Sequence, residues 1–205
     1  MDKIILKNPK KLWKLLGKRS NWIQYILPKR SEIEFWKEGE LEAENIKKYI
    51  SDNSFVIDYG CGIGRITKPL KKHCKKIVGL DICKKFVERA GEGFKTIDEF
   101  KEKNVASFVF SISVLQHNDH ENRVKIIKNI HSLLKEGGKC FINFPVKGDI
   151  YEGRKESWFV SVFEEDYLKD LFKDFSEVKL IKGNLVNYGK EDIEGDNEIF
   201  VLATK

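Results

Sequence analysis

Two stretches of this chain combine residue types that can do chemistry with spacing that could bring them together. One is the octet Asp58-Tyr59-Gly60-Cys61-Gly62-Ile63-Gly64-Arg65; the other is the single acid Asp81. Phe55 to Tyr59 is a short apolar run that ends at the glycines, and Arg65 to Lys72 reads as a helix, so the octet makes a strand-to-helix turn. At such a junction the strand stops at the carboxyl edge of a sheet, and the helix start points unpaired N–H groups outward. Glycine permits the tight turn and lets a ligand approach the backbone, because no Cβ stands in the way. The next apolar run, Lys76 to Asp81, ends in an acid about one crossover unit later. A carboxylate in that place can accept hydrogen bonds from both ribose hydroxyls of an adenosine-containing ligand. Local roles compete with this reading: Asp58 also suits the cap of a turn, and Asp81 the cap of a helix beginning at Lys84.

The glycine spacing narrows the ligand. In the dinucleotide fingerprint Gly-x-Gly-x-x-Gly, Gly60 and Gly62 match, but Arg65 takes the sixth position and Gly64 comes one residue early. A Gly-x-x-x-x-Gly-Lys-Ser/Thr loop is missing, which argues against a nucleoside triphosphate. Acid-x-Gly-x-Gly-x-Gly instead resembles the first motif of class I S-adenosylmethionine-dependent methyltransferases. Val78-Gly79-Leu80-Asp81 resembles that family's second motif. Ser111-Ile112-Ser113-Val114-Leu115-Gln116-His117 looks like the fourth-strand segment of its small-molecule branch, and Leu133 to Lys139 like the turn into its fifth strand, with Glu136 where the family often has proline. The resemblance covers roughly residues 36–205.

The resemblance implies S-adenosylmethionine as cofactor and S-adenosylhomocysteine as product. The backbones of Gly60, Gly62 and Gly64, with Cys61 among them, would lie against the methionine part. Asp58 would brace the loop and face the cofactor's amino group, Asp81 would hold the ribose, and Ile82 would pack on the adenine. Asp98 is the equivalent of the family's acid after the third strand, near the adenine. Ser113 would lie near the sulfonium. His117, directly after the fourth strand, is the candidate base, with a role in shaping the acceptor pocket as the alternative; an unperturbed histidine titrates near 6.5, which suits proton removal near neutrality. His120, in the first turn of a helix, reads as exposed, and His73 and His131 as structural or solvent-facing. The run Gln116 to His120 matches no zinc spacing, so no metal is expected.

These residues need a scaffold. Residues 10–30 read as helix broken near Gly17 and Pro28. Ser31 to Ile50 reads as a longer helix with Ile33, Phe35, Trp36, Leu41, Ile46 and Ile50 as its apolar positions, open to interruption at Gly39. Lys84 to Ala90 reads as a helix, Phe94 to Ile97 as a short third strand, and Ser107 to Val114 as a buried fourth strand. Asn118 and Glu121 form a capping box for the helix that follows, whose apolar face is Val124, Ile127, Ile130 and Leu134. Gly137-Gly138 stops it, and Lys139 to Phe144 is a fifth strand. Glu164 to Phe175 reads as a helix with Tyr167, Leu168, Leu171 and Phe172 inward. Val178 to Ile181 and Ile199 to Leu202 then read as an antiparallel pair, since no helix candidate separates them. The expectation is an α/β fold: a Rossmann-like doubly wound sheet, parallel with an antiparallel C-terminal strand pair, the N-terminal helices acting as a lid. One domain over 1–205 is expected, with 1–50 as the helical lid and substrate segment and 51–205 as the cofactor-binding core.

Charge and cysteines bound the partners. Residues 1–30 hold nine Lys or Arg against one acid, Asp2, whereas the remaining 175 residues hold 29 bases and 31 acids. The basicity is either that of a lysine-rich, solvated helix pair or a positive rim that attracts an anionic partner. Cys61, Cys74, Cys83 and Cys140 fall singly, without zinc or disulfide-framework spacing, which fits a reducing cytoplasm. No apolar run is long enough to span a bilayer, and Met1 to Lys11 does not read as a secretory signal. Trp13, Trp22, Tyr25, Phe35 and Trp36, with Tyr151, Trp158 and Phe159, are core residues or walls of an acceptor pocket. The expected activity is methyl transfer to an oxygen or nitrogen of a small-molecule acceptor, which the basic segment would suit if it is anionic. The alternatives are an RNA methyltransferase, with nucleic acid as a less favoured partner, and a non-catalytic cofactor-binding module.

Overall fold

A computed structural model of the chain describes residues 8–26, 30–145, 163–183 and 198–205. Pro28, Tyr151, Trp158, Phe159 and the acidic stretch between the last two strands lie outside the described residues, as does the side chain of Tyr25. The chain resolves into two compact units, Met1–Lys101 and Glu102–Lys205.

The first unit opens with α1 (Pro9–Leu16), α2 (Ile23–Ile26) and α3 (Glu32–Lys47). Pro9 occupies the start of α1 and the Asn8 side chain caps it by accepting the Lys11 N–H. α3 begins at a capping box, with Ser31 accepting the Glu34 N–H and Glu34 accepting that of Ser31; Glu32 and Glu34 in the first turn suit the positive end of the helix dipole. The unit continues through β1 (Phe55–Tyr59), α4 (Thr67–Leu70), a 3₁₀ turn (Lys71–His73), β2 (Lys76–Asp81), α5 (Lys84–Ala90) and β3 (Phe94–Thr96). β1 pairs parallel with β2 in the register Phe55 to Lys76 through Tyr59 to Leu80, and β2 pairs parallel with β3 from Gly79–Phe94 to Asp81–Thr96.

The sequence expectation for α3 needs correction. Its inward residues are Phe35, Glu38, Gly39, Glu42, Ala43 and Ile46, a stripe at helical spacing, whereas Ile33 is 80% exposed and Leu41 45% exposed. Hydrophobicity misplaces the face because two of its inward positions are acids held by arginines: Arg65 Nη2 lies 2.7 Å from Glu42, and Arg30 Nε bonds to Glu38. Nor does Gly39 interrupt the helix. A Cβ there would overlap Arg65 Cγ and the Arg65 carbonyl oxygen, so the glycine lets the helix lie directly on the backbone after the glycine loop. Trp13, Trp22, Ile23, Ile26 and Trp36 pack against a buried cluster of Phe35, Ile63, Cys83 and Phe86. The N-terminal aromatics therefore close over the loop through Ile63.

The second unit contains β4 (Ala106–Ser111), a 3₁₀ turn (Leu115–His117), α6 (His120–Leu133), β5 (Leu134–Pro145), α7 (Glu165–Leu171), β6 (Glu177–Gly183) and β7 (Glu198–Thr204). β4 and β5 are parallel; β7 lies antiparallel between β5 and β6. This is the change from parallel to antiparallel order expected at the C-terminus. β4 ends at Ser111, earlier than expected, because Ser113 turns to φ +58. The cap of α6 also differs. Asp119, not Asn118, accepts the Asn122 N–H, while Asn118 donates its amide to the Val114 carbonyl. α6 ends at Leu133 and passes straight into extended backbone at Leu134. Gly137, at φ +70, turns the chain within β5 instead of capping the helix. The buried face of α6 is Arg123, Ile127, Ile130 and Leu133, one position away from the predicted Val124 and Leu134 at its ends.

Gly39→Ala is expected to destabilise the protein despite alanine's advantage of about 1 kcal/mol in a helix. Overpacking against a backbone atom costs about 1–3 kcal/mol, so the denaturation midpoint should fall. An unchanged or raised midpoint would mean that α3 moves freely off the loop.

Candidate cofactor site

The glycine loop is assembled from β1, β2 and their following turns. The N–H groups of Gly60 and Cys61 both donate to the Leu80 carbonyl, at 2.7 and 3.0 Å, extending the β1–β2 pairing past the strand end. Asp81 holds the next part of the loop: its Oδ2 accepts the Gly62 N–H at 2.8 Å and its Oδ1 accepts the Cys83 N–H at 2.7 Å. One carboxylate thus fastens the loop after β1 to the turn after β2. Gly60, Gly62 and Gly64 all lie at positive φ (+89, +56 and +85). At Gly62 the nearest atom to an added Cβ would be Ile26 Cδ1, at 3.7 Å, so the absence of a side chain leaves room on the ligand side. At Gly64 a Cβ would overlap the Phe94 ring, which packs with Cys61 and Ala90 beneath the loop.

Asp58 is buried and accepts the Thr67 hydroxyl at 2.5 Å. Burial raises its carboxyl to about 7; the Thr67 bond opposes the rise and the nearby Asp81 reinforces it. Burial also raises Asp81, to about 6, against the N–H donors of Cys83, Gly62 and Ile82. The Cys61 thiol is pushed well up, chiefly by burial and then by the two aspartates, so it is a packing group and not a nucleophile.

Six of the predicted site residues, Asp58, Gly60, Cys61, Gly62, Gly64 and Asp81, therefore form one hydrogen-bonded and packed group in the first unit. Ile82 follows Asp81, half-buried. Asp98 stands outside this group: it is exposed, and Lys10 Nζ donates to it at 3.1 Å, which holds its carboxyl below the ordinary range. The other two predicted residues belong to the second unit. Ser113 is exposed and donates its N–H to Asn143 Oδ1 at 2.7 Å; Asn143 in turn donates to Glu198 at 2.6 Å. His117 is half-buried in the 3₁₀ turn. That turn is braced by Arg123, whose Nε donates to the Leu115 carbonyl at 3.2 Å and whose guanidinium lies 4.6 Å from the Phe163 ring centre. His120 is exposed, as expected, and bonds Tyr167 Oη through Nδ1 at 3.1 Å.

Sequence reasoning missed Thr67, Phe94, Arg123 and Asn143. Only Asn143 carried a signal, as a lone amide inside the apolar run Cys140 to Phe144. Among the described residues no group of three or more His, Cys, Asp or Glu could hold a metal ion, and no helix is long and apolar enough to cross a membrane.

The loop suits a nucleoside with a cationic tail. A carboxylate offers about four lone-pair sites; the N–H groups of Gly62, Cys83 and Ile82 draw on three at Asp81, which leaves acceptor capacity for a ribose hydroxyl. Buried acid next to the loop favours positive charge on the ligand.

Residues 57–142 match the family described as a methyltransferase domain, and the fold is similar to that of solved S-adenosylmethionine-dependent methyltransferases. It is 28% identical over 115 residues to a carboxy-S-adenosyl-L-methionine synthase of Idiomarina loihiensis, covering 47% of each chain. It is 28% identical over 173 residues to phosphoethanolamine N-methyltransferase 1 of Triticum aestivum, covering 73% of this chain and 35% of that protein. The matches thus span about half or less of these relatives' length. A SAM-dependent methyltransferase structure from Archaeoglobus fulgidus superimposes with a TM-score of 0.66 at 15% identity, covering 83% of this chain and 94% of that one. At that identity the likeness concerns the Rossmann-like fold alone, and it agrees with the parallel-then-antiparallel strand arrangement.

Both buried aspartates have folded-state values above their ordinary ones, so the unfolded chain ionises first as pH rises. Their contribution to stability is fully present at low pH and is lost as pH climbs through the folded values. Asp58→Asn keeps an acceptor for Thr67 but cannot ionise. Its melting-temperature advantage over the parent should grow from about pH 4 to about pH 7, then level off. A difference independent of pH in thermal melts would contradict this account of Asp58.

Proposed function

We propose that the chain transfers a methyl group from S-adenosylmethionine to an oxygen or nitrogen of a small-molecule acceptor, as one domain over residues 1–205 working in a reducing cytoplasm. The observation that carries the reading is the Asp81 carboxylate bridging the glycine loop and the turn after β2, with acceptor capacity left for a ribose. In this reading the backbone of Gly60 to Gly64 lies against the methionine part. Asp81 binds the ribose, and Ile82 covers the adenine, with Asp98 further out at the adenine end. Asp58 fixes the loop through Thr67 and faces the cofactor's amino group.

When bound, the cofactor supplies an electrophilic methyl group on a sulfonium, so the protein needs only to align a nucleophile and exclude water. The aromatic cover formed by Trp22, Phe35 and Trp36 against Ile63 provides exclusion at the loop. Ser113 and His117 would serve the acceptor. Asn143 fixes the backbone of Ser113, and the braced 3₁₀ turn presents the imidazole of His117, which takes a proton from an acceptor that begins protonated. Relatives whose printed names concern carboxy-S-adenosylmethionine and phosphoethanolamine support a small acceptor, and one whose name concerns 23S rRNA keeps RNA in the acceptor screen. Exposed Lys11, Lys14, Lys18 and Arg19 on and after α1 support an anionic one.

Asp81→Ala should lower affinity for S-adenosylhomocysteine by about ten- to a hundredfold for each charge-assisted bond lost, measured by calorimetric titration. Unchanged affinity in a folded variant would remove Asp81 from the site. With an acceptor found by screening anionic amines, alcohols and RNA, His117→Ala should leave cofactor affinity unchanged and reduce kcat, most steeply at low pH if rescue by solvent hydroxide replaces the base. Unchanged turnover would assign His117 to structure alone.

A further inference from the structure

The basicity of this chain is not confined to its first thirty residues. From Tyr59 to Leu80 the sequence holds six Lys or Arg and no Asp or Glu. Arg65 is buried and paired with Glu42. The five lysines lie at the surface: Lys68 is half-buried, and Lys71, Lys72, Lys75 and Lys76 are exposed. Lys68, Lys71 and Lys72 stand at i, i+3 and i+4 along α4 and the 3₁₀ turn, which puts them on one face. Lys75 and Lys76 carry the row to the start of β2. The C-terminus of α3 joins it there. Lys72 and His73 act on the Glu44 carboxyl, Lys47 pairs with that carboxyl, and Lys48 follows, exposed.

Aromatic rings set several of these lysines in place. Lys48 Nζ lies 5.3 Å from the Tyr49 ring centre, Lys68 Nζ 4.9 Å from Trp36, Lys71 Nζ 5.7 Å from Phe94 and Lys76 Nζ 4.2 Å from Phe55. A ring attracts a cation without cancelling its charge, and strong pairs of this kind occur about once per 70–80 residues, so this stretch is dense in them. Among the described residues no carboxylate forms an ion pair with Lys48, Lys68, Lys71, Lys72 or Lys75. The charge is felt within the row: burial first, then Lys71, holds the Lys68 ammonium below its ordinary range. The far end of the row is remote from the glycine loop. Lys76 is in register with Phe55 at the start of β1, and the loop follows Tyr59 at its end, about 13 Å along the strand at the usual rise.

We propose that Lys48, Lys68, Lys71, Lys72, Lys75 and Lys76 form a docking row for the phosphate backbone of a nucleic acid. Lysine acts on phosphate as a point charge, and backbone contacts need positive charge in a row but no reading of bases. The alternatives fit less well. Among the described residues the exposed large apolar side chains are Leu15, Ile33 and Leu41, none of them in the row, so it lacks the apolar face that enters a membrane surface. Lysine is depleted, and apolar and aromatic anchors enriched, where proteins bind proteins. The inference goes beyond methyl transfer and does not depend on the acceptor, because the row runs away from the cofactor loop.

The test measures fluorescence anisotropy of labelled single-stranded RNA, and of DNA of the same sequence, at rising salt. It compares the parent chain with Lys72→Glu plus Lys75→Glu in the row, and with Lys125→Glu plus Lys128→Glu, the same charge change at exposed positions of α6. The row variant should bind about tenfold more weakly or worse, and its slope of log affinity against log salt should fall by about 1.4, two contacts at about 0.7 each. The α6 variant should stay close to the parent, and all three should share one melting temperature. Should the row variant fail to fold, Lys72→Gln plus Lys75→Gln removes the same contacts without reversing charge and should show the same fall in slope. A loss confined to RNA or to DNA supports the row and identifies the strand it takes. Equal losses from both variants would mean a general attraction to positive charge and would overturn the row. So would a parent chain without salt-dependent affinity for either strand, or one that binds phosphatidylserine vesicles or polyglutamate more tightly than both.

Discussion

The Asp81 carboxylate is the contact on which the candidate site depends. Its two oxygens accept N–H groups from Gly62 and Cys83, so the shape of the glycine loop and the start of α5 are set by one side chain at the end of β2. Hydrogen bonds to a carboxylate are stronger than those between neutral groups, which suits a loop whose glycines contribute no side-chain packing. In the proposed function the same carboxylate also takes the ribose. Loop geometry and ligand recognition are therefore coupled: whatever displaces Asp81 alters both. Phe94 supports the arrangement from below, where its ring fills the space beside Gly64 that a side chain would otherwise need.

This design concentrates charge in a buried region. Glu38, Glu42, Asp58 and Asp81 are buried there, with Arg65 as the buried cation. Burying unbalanced carboxylates is costly unless they are paired or protonated, and the chain uses both routes. Glu42 pairs with Arg65, whereas Asp58 and Asp81 are displaced toward neutrality. The region gives up stability as pH rises, and in the proposed function its acids suit a ligand with positive charge. A sulfonium and an ammonium on the same molecule would relieve that imbalance, whereas the neutral thioether left after methyl transfer relieves less of it, which favours product release over product retention.

The sequence made the loop, β1, β2, α5 and the antiparallel ending legible, because each is announced by local chemistry: apolar runs bounded by glycine, an acid at a strand end, β-rich segments without a helix between them. It was silent where the decisive contacts are long-range. The inward face of α3 was misplaced because Glu38 and Glu42 look solvent-facing until Arg30 and Arg65 are brought to them. Gly39 looked like a helix breaker because its reason, the approach of Arg65, comes from 26 residues later in the chain. The cap of α6 moved from Asn118 to Asp119 since both side chains are capable and only the 3₁₀ turn before them decides which one reaches an N–H.

A related limit explains why the cofactor is easier to read than the acceptor. Cofactor recognition rests on backbone geometry at fixed spacing, and glycines and an aspartate record that spacing in the sequence. Acceptor recognition would rest on Ser113 and His117, whose orientation depends on Asn143, Glu198 and Arg123 at distant positions. Asn143 lies in the middle of β5 and trades apolar packing for two hydrogen bonds, one to the Ser113 N–H and one to Glu198. A buried amide in a strand core is stable only when both its ends are satisfied. Its presence there therefore ties the backbone conformation of Ser113 to the pairing of β5 with β7, and makes the antiparallel end of the sheet a support for the segment that follows β4.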